Sequence, residues 1–195
     1  MMIRCESDAA EPEPAGIPAD ARAWVEVNLS ALAANCKRIV HALPSGCDMM
    51  AVLKADAYGH GAAAAAQALG RAGCRSACVA TLQEAVELRG AGFSGSVLVL
   101  GWTLPALAPL AARHRVALAA ADGEHARALA ASAERSGAEV ALHLAVDTGM
   151  HRLGIAWDDT AAAIRAFRLS GARVRGVFSH LAVPDGASAR DRRAT

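Results

Sequence analysis

An α/β fold, a parallel sheet covered by helices, is what three features of this 195-residue sequence predict. Short unbroken apolar runs recur near 49–53, 77–80, 97–101, 116–119, 140–146 and 174–178. Each of the first five is followed by a segment with helical spacing. Gly73, Gly92, Gly137 and Gly171 punctuate the helix ends. Strands buried on both faces read as continuous apolar runs, and parallel neighbours need a helical crossover between them. Two architectures satisfy this pattern, an open doubly wound sheet and a (β/α)8 barrel, and periodicity alone does not choose between them.

The elements follow in order. Residues 1–21 are acidic and rich in Pro, Ala and Gly. They lack the apolar stretch of a signal peptide and read as a disordered lead-in. The remainder, 22–195, reads as one domain. WVEVN, 24–28, alternates like a short strand. Leu29, Leu32, Ala33, Cys36, Ile39, Val40 and Leu43 then recur at helical spacing, with Pro44 just beyond. Thr81-Leu-Gln-Glu84 is a capping box, and Asp122 can cap a helix over 123–135. The closing ASARDRRAT looks like the start of a sixth helix. About six core strands are expected, whereas a complete barrel takes roughly 250 residues. On the barrel reading the chain stops early.

Composition narrows the function. Hydrophobic residues make up 54% of the chain and aromatics only 4%, so Ala, Val, Leu and Ile must build the core. A formal net charge of +1 leaves no electrostatic case for nucleic acid or an anionic membrane. No apolar run reaches the roughly 18–20 residues of a membrane helix. The five cysteines, Cys5, Cys36, Cys47, Cys74 and Cys78, are odd in number and contain no CxxC pair. That argues against a disulfide framework and against a zinc site. Cys36 falls on the apolar face of the first helix and Cys78 inside an apolar run. Free, partly buried thiols fit a reducing compartment, and the cytoplasm is expected.

In either architecture active groups gather at the carboxyl ends of strands. The run at 49–53 opens into Lys54, followed by Tyr58-Gly59-His60-Gly61. Lys54 is one of two lysines, with Lys37, and Tyr58 is the only tyrosine. The run VALHLAV ends in Asp147-Thr148-Gly149-Met150-His151-Arg152-Leu153-Gly154, and VRGVF ends in Ser179-His180. Gly101-Trp102 and Thr81 close two more. A lysine, a tyrosine, an arginine and a histidine are therefore expected on one rim. Singly, each has an ordinary reading. A strand-end lysine snorkels to solvent, a lone histidine is a hydrogen-bonded structural residue, and DTGMHRLG is a Gly-bearing loop. Together they point to a cofactor or anion site at a barrel mouth. His41, His114, His125 and His143 read as surface or helix residues.

AVLKADAYGHG, 51–61, resembles the pyridoxal-phosphate attachment motif of the alanine racemase family. VDTGMHRLG resembles that family's second signature. VFSHLAVPD resembles its third, in the form found among racemases acting on alanine or serine. AWVEVNLSALAANCKRI resembles the family's start, and the likeness runs from about Arg22 to the end. The resemblance implies a (β/α)8 barrel, here incomplete, that is followed in the family by a β-rich domain and works as a head-to-tail dimer. It implies pyridoxal 5'-phosphate as cofactor and a small amino acid as substrate. The activity implied is interconversion of L- and D-alanine, as in supply of D-alanine for cell-wall synthesis. Lys54 would anchor the cofactor and serve as a base. A lysine attacks an aldehyde as the free amine, a form favoured at a poorly hydrated barrel mouth.

By the same carry-over Tyr58 would hydrogen-bond the cofactor phosphate, with Gly59 and Gly61 letting the backbone turn beside it. Arg152 would bond the cofactor's phenolic oxygen and help hold the substrate carboxylate. Met150 would line the substrate site, His180 would pack against the pyridine ring, and Asp147, Thr148 and Gly149 would shape the loop presenting Arg152. His60 matches the motif without a separate role. Two departures stand out. A lysine that in many members is carbamylated and orients the arginine is Ala145 here. The β-rich domain with the family's second base, a tyrosine, is not in the sequence, so the chain alone is expected to be inactive. Serine racemisation and a non-catalytic pyridoxal-phosphate-binding barrel are the alternative functions. A related amino-acid decarboxylase is disfavoured by the AYGHG and DTGM motifs.

Overall fold

In the computed structural model the described residues are 2–6 and 22–186. The expected helix over 187–195 and most of the lead-in, 7–21, lie outside them. Two compact units divide the chain, Met1–Val97 and Leu98–Thr195.

In the first unit Met2–Glu6, within the stretch read as a lead-in, is a strand (β1) paired in parallel with β2, Trp24–Asn28. Helix α1, Leu29–Ala42, starts where the Asn28 side chain accepts the Ala31 N–H at 2.7 Å, satisfying one of the helix's orphan donors. Strand β3, Met50–Val52, pairs in parallel with β4, Ser76–Val79, and the crossover between them carries α2, Lys54–Gly59, and α3, Ala62–Arg71. Val27, Leu29 and Ala68 form a buried cluster that seats α1 on α3, with Leu32 and Ala64 at its edge. Helix α4, Leu82–Gly90, begins with the expected capping box.

β5, Ser96–Val99, spans the boundary between the units. In the second unit its last two residues pair in parallel with β6, Ala117–Ala120. β6 pairs with β7, Val140–Asp147, and β7 pairs on with β9, Ala172–Ser179, and with the two-residue β8, Ile155–Ala156. Every one of these pairs is parallel. Helices α5 (Ala108–Arg113), α6 (Gly123–Arg135) and α7 (Thr160–Ala166) supply the crossovers. Asp122 caps α6 by accepting the His125 N–H at 2.7 Å, as the sequence predicts.

Leu118, Leu129, Leu142 and Leu144 have no solvent exposure. Burying a side chain of that size contributes about 1.5–3 kcal/mol, so these four are major contributors to the second unit's core, beside buried alanines, valines, Leu98 and Ile155. The placement of His143 corrects the surface-or-helix reading. It lies half-buried on β7, and burial pushes its pKa down. A Cβ on Gly176 would come within 2.8 Å of its ring, and the β7–β9 register shifts at that point. Glycine there lets the strand pass an imidazole.

Candidate functional site

The lysine motif opens in an unusual backbone. Leu53 still belongs to the sheet edge, donating its N–H to the Cys78 carbonyl at 2.8 Å. From Ala55 to Tyr58 four consecutive non-glycine residues have φ between +52° and +54°, so α2 is one turn of left-handed helix. Such a conformation costs about 1–2 kcal/mol per residue and needs outside support. The support is visible. Ala57 N–H donates to Leu53 C=O at 2.9 Å and Gly61 N–H to Asp56 C=O at 3.0 Å. The Asp56 carboxylate accepts the Ala62 N–H, capping α3. His60 gains a role that its place in the motif does not reveal. Both its N–H (3.1 Å) and its Nδ1 (2.9 Å) bond the Ala57 carbonyl, closing the turn's exit.

This turn presents the two scarce side chains together. Lys54 is half-buried, and its Nζ stands 5.8 Å from the centroid of the Tyr58 ring, at cation–π range. Tyr58 is 61% exposed, so its hydroxyl is available to a ligand. Among the nearby groups is the Cys78 thiol. Burial pushes it up to about 11, against a partial lowering by the Lys54 charge. Cys78 therefore stays protonated near neutral pH and does not compete as a nucleophile.

In the second unit the loop after β7 is built around Asp147. Its carboxylate accepts the N–H of His151 at 2.9 Å and of Gly149 at 3.0 Å, and the His151 Nδ1–H donates to its other oxygen at 2.9 Å. The His151 and Gly149 amides, opposed only by desolvation and helped by the His151 ring, hold its pKa down at about 2, against an ordinary 3.8. Gly154 closes the loop, its N–H donating to the Ala121 carbonyl at 2.8 Å. Thr148 and Ser179 share a 2.6 Å hydroxyl–hydroxyl bond, which joins the Arg152 loop to the segment carrying His180. Met150, Arg152 and His180 are all exposed. Ala145 is 4% exposed. A depressed carboxylate stabilises the folded loop above its ordinary pKa, and that contribution is lost as pH falls from about 3.8 towards about 2. The amide resonances of Gly149 and His151 should shift together in that window and should be flat in Asp147→Asn. A midpoint at or above 3.8 would contradict the clamp.

One buried residue escaped the sequence reading. His125 is on α6, as expected of a helix residue, but only 4% exposed. Its Nδ1 accepts the Ala121 N–H at 3.1 Å, which leaves the proton on Nε2 to donate to Thr103 C=O at 2.7 Å. Trp102, after β5, stacks on it with centroids 5.0 Å apart. Asp122, a recognisable cap three residues ahead, was the available signal, but it reveals nothing of the ring's partners.

Lys54 and Tyr58 thus follow β3, and Met150, Arg152 and His180 follow β7 and β9, all at carboxyl ends of parallel strands. Within the first unit, the primary amine of Lys54 and the phenol of Tyr58 are groups of the kind that suit the aldehyde and the phosphate of pyridoxal 5'-phosphate. Among the described residues no group of three or more His, Cys, Asp or Glu side chains is arranged to hold a metal ion. The family model for the alanine racemase N-terminal domain matches residues 27–194. The chain belongs to the alanine racemase family.

Within that family it is 40% identical over 162 residues to the alanine racemase of Limosilactobacillus fermentum, covering 82% of this chain and 43% of the relative. The structure of alanine racemase from Bacillus anthracis with bound L-Ala-P superposes with a TM-score of 0.79 at 29% identity, covering 86% of this chain and 44% of that one. The histidine racemase from Leuconostoc mesenteroides gives 0.75 at 32%, covering 85% and 45%. The chain spans less than half the length of these relatives. The alanine racemase fold decides the architecture that periodicity left open. It is the barrel, incomplete and not closed in this chain. No helix among the described residues is long and apolar enough to cross a membrane.

Proposed function

We propose that this chain supplies the cofactor-anchoring part of a pyridoxal-phosphate-dependent racemase that interconverts L- and D-alanine. The observation that carries the reading is Lys54, presented with Tyr58 on a strained left-handed turn at the end of β3. Relatives named alanine racemase support the choice of substrate. When bound, pyridoxal 5'-phosphate supplies an aldehyde for the lysine and a ring that spreads the charge left as the substrate's α-proton departs. Lys54 Nζ would hold the cofactor and would take or return that proton on one face. The Tyr58 hydroxyl would donate to the phosphate. Arg152 would bond the phenolic oxygen and steady the substrate carboxylate, Met150 would border the substrate, and His180 would cover the ring.

The same reading places the activity in the cytoplasm, in a homodimer, in supply of D-alanine to the cell wall. The buried free thiols Cys36, Cys74 and Cys78 support a reducing compartment. The test is to supply pyridoxal 5'-phosphate and L-alanine to the full-length protein carrying this sequence and follow D-alanine. A rate no higher than that of free cofactor would reject the function. Arg152→Lys sharpens it. A point charge cannot reproduce the guanidinium's two-pronged contact, and each charge-assisted bond lost costs about 1.5–3 kcal/mol. kcat/KM should fall at least about tenfold. A change within twofold would leave Arg152 as a solvated loop residue.

A further inference from the structure

We infer that Glu84 is a positioning residue for Lys54, acting through the backbone of the left-handed turn. Glu84 stands at the third position of α4, where a capping box asks its carboxylate only to reach back to the cap. One oxygen, Oε2, does that, accepting the N–H of Thr81 at 3.0 Å and of Ala80 at 2.8 Å. The other, Oε1, accepts the N–H of Ala55 at 2.7 Å, 29 positions away in sequence. Ala55 immediately follows Lys54 and is the first of the four residues with positive φ. Its N–H belongs to the first turn of a helix and has no partner within that turn. A single carboxylate therefore joins the end of β4 to the residue that aims Lys54.

Burial is the largest single influence on the Glu84 carboxyl and pushes its pKa up, but the amides of Ala55, Thr81 and Ala80, with the Thr81 hydroxyl, together outweigh it and lower the pKa. The ionised form that accepts on both oxygens is then the one present at neutral pH. Glutamine is an adequate capping-box residue but has one accepting oxygen, and its amide would point N–H at N–H. Glu84→Gln can keep the cap or the clamp, not both. Thr81→Ala does the reverse, removing the cap hydroxyl and leaving both Glu84 oxygens.

The inference rests on the proposed role of Lys54, and the experiment keeps the two apart. The chain is incubated with pyridoxal 5'-phosphate and reduced with borohydride. Peptide mapping then measures label at Lys54 against Lys37, the other lysine, as internal reference. Amide hydrogen exchange at Ala55 and Ala57 is followed without cofactor. Glu84→Gln should lower the Lys54-to-Lys37 ratio at least fivefold and accelerate both amides at least tenfold, with a melting midpoint within a few degrees of wild type. Thr81→Ala should lower the midpoint and leave ratio and exchange unchanged. Wild-type ratio and exchange in Glu84→Gln would overturn the inference, as would equal losses in Thr81→Ala. A wild-type chain unlabelled at Lys54, with exchange still accelerated in Glu84→Gln, would overturn the proposed function and uphold the clamp.

Discussion

Lys54→Ala is expected to remove the borohydride-stable pyridoxyl label and to lower racemisation by at least about a thousandfold in the full-length protein. On the proposed function, two roles leave with one side chain. The covalent anchor is lost, and so is acid–base help on one face of the substrate, itself worth factors of about a hundred to ten thousand. The fold should survive. Lys54 is half-buried, and the turn around it is held by backbone bonds, Ala57 to Leu53 and Gly61 to Asp56, that do not involve the ammonium. Lys37→Ala, on an exposed face of α1, is the control and should keep both label and rate. Label persisting elsewhere in Lys54→Ala, or activity within tenfold of wild type, would reject the assignment.

The second large effect is on stability. Gly154 has φ +132°, outside the range of L side chains, and a Cβ there would collide with the Asp147 amide and lie 2.7 Å from the Val146 carbonyl carbon. Both obstacles are backbone of β7, so no side chain can swing aside. Gly154→Ala must either part β8 from β7, where Val146 pairs with Ile155, or break the bond to Ala121. A cost of about 3 kcal/mol or more is expected, a drop of about 6–12 °C in melting midpoint. Gly137→Ala provides the comparison, because Gly137 has φ +67° with nothing within 4 Å of its Cβ position. It should cost about 1 kcal/mol. Equal losses in the two variants would show that the strand contact is not the cause. Since Gly154 ends the Arg152 loop, activity should fall beyond what the stability loss explains.

Much of this protein is legible in one dimension. Apolar runs place six core strands within a few residues, because a strand covered on both faces must be apolar throughout. Helix starts at Thr81 and Asp122 are marked by side chains that cap their own neighbours, a local interaction that needs no tertiary context. The candidate site residues are equally local signals, since an isolated lysine and the only tyrosine mark one strand end. What the sequence could not show is how that strand end is held. Nothing in Lys-Ala-Asp-Ala-Tyr announces a left-handed turn. Non-glycine residues adopt it only where surrounding bonds outweigh the cost, and those bonds come from Leu53, Asp56, His60 and distant Glu84. The burial of His143 against Gly176 and of His125 beneath Trp102 has the same origin, as do the two residues of β8. Each depends on a partner brought close by strand pairing or helix packing. Residue type and spacing set which chemistry is available, and long-range packing alone decides the conformation in which it is presented.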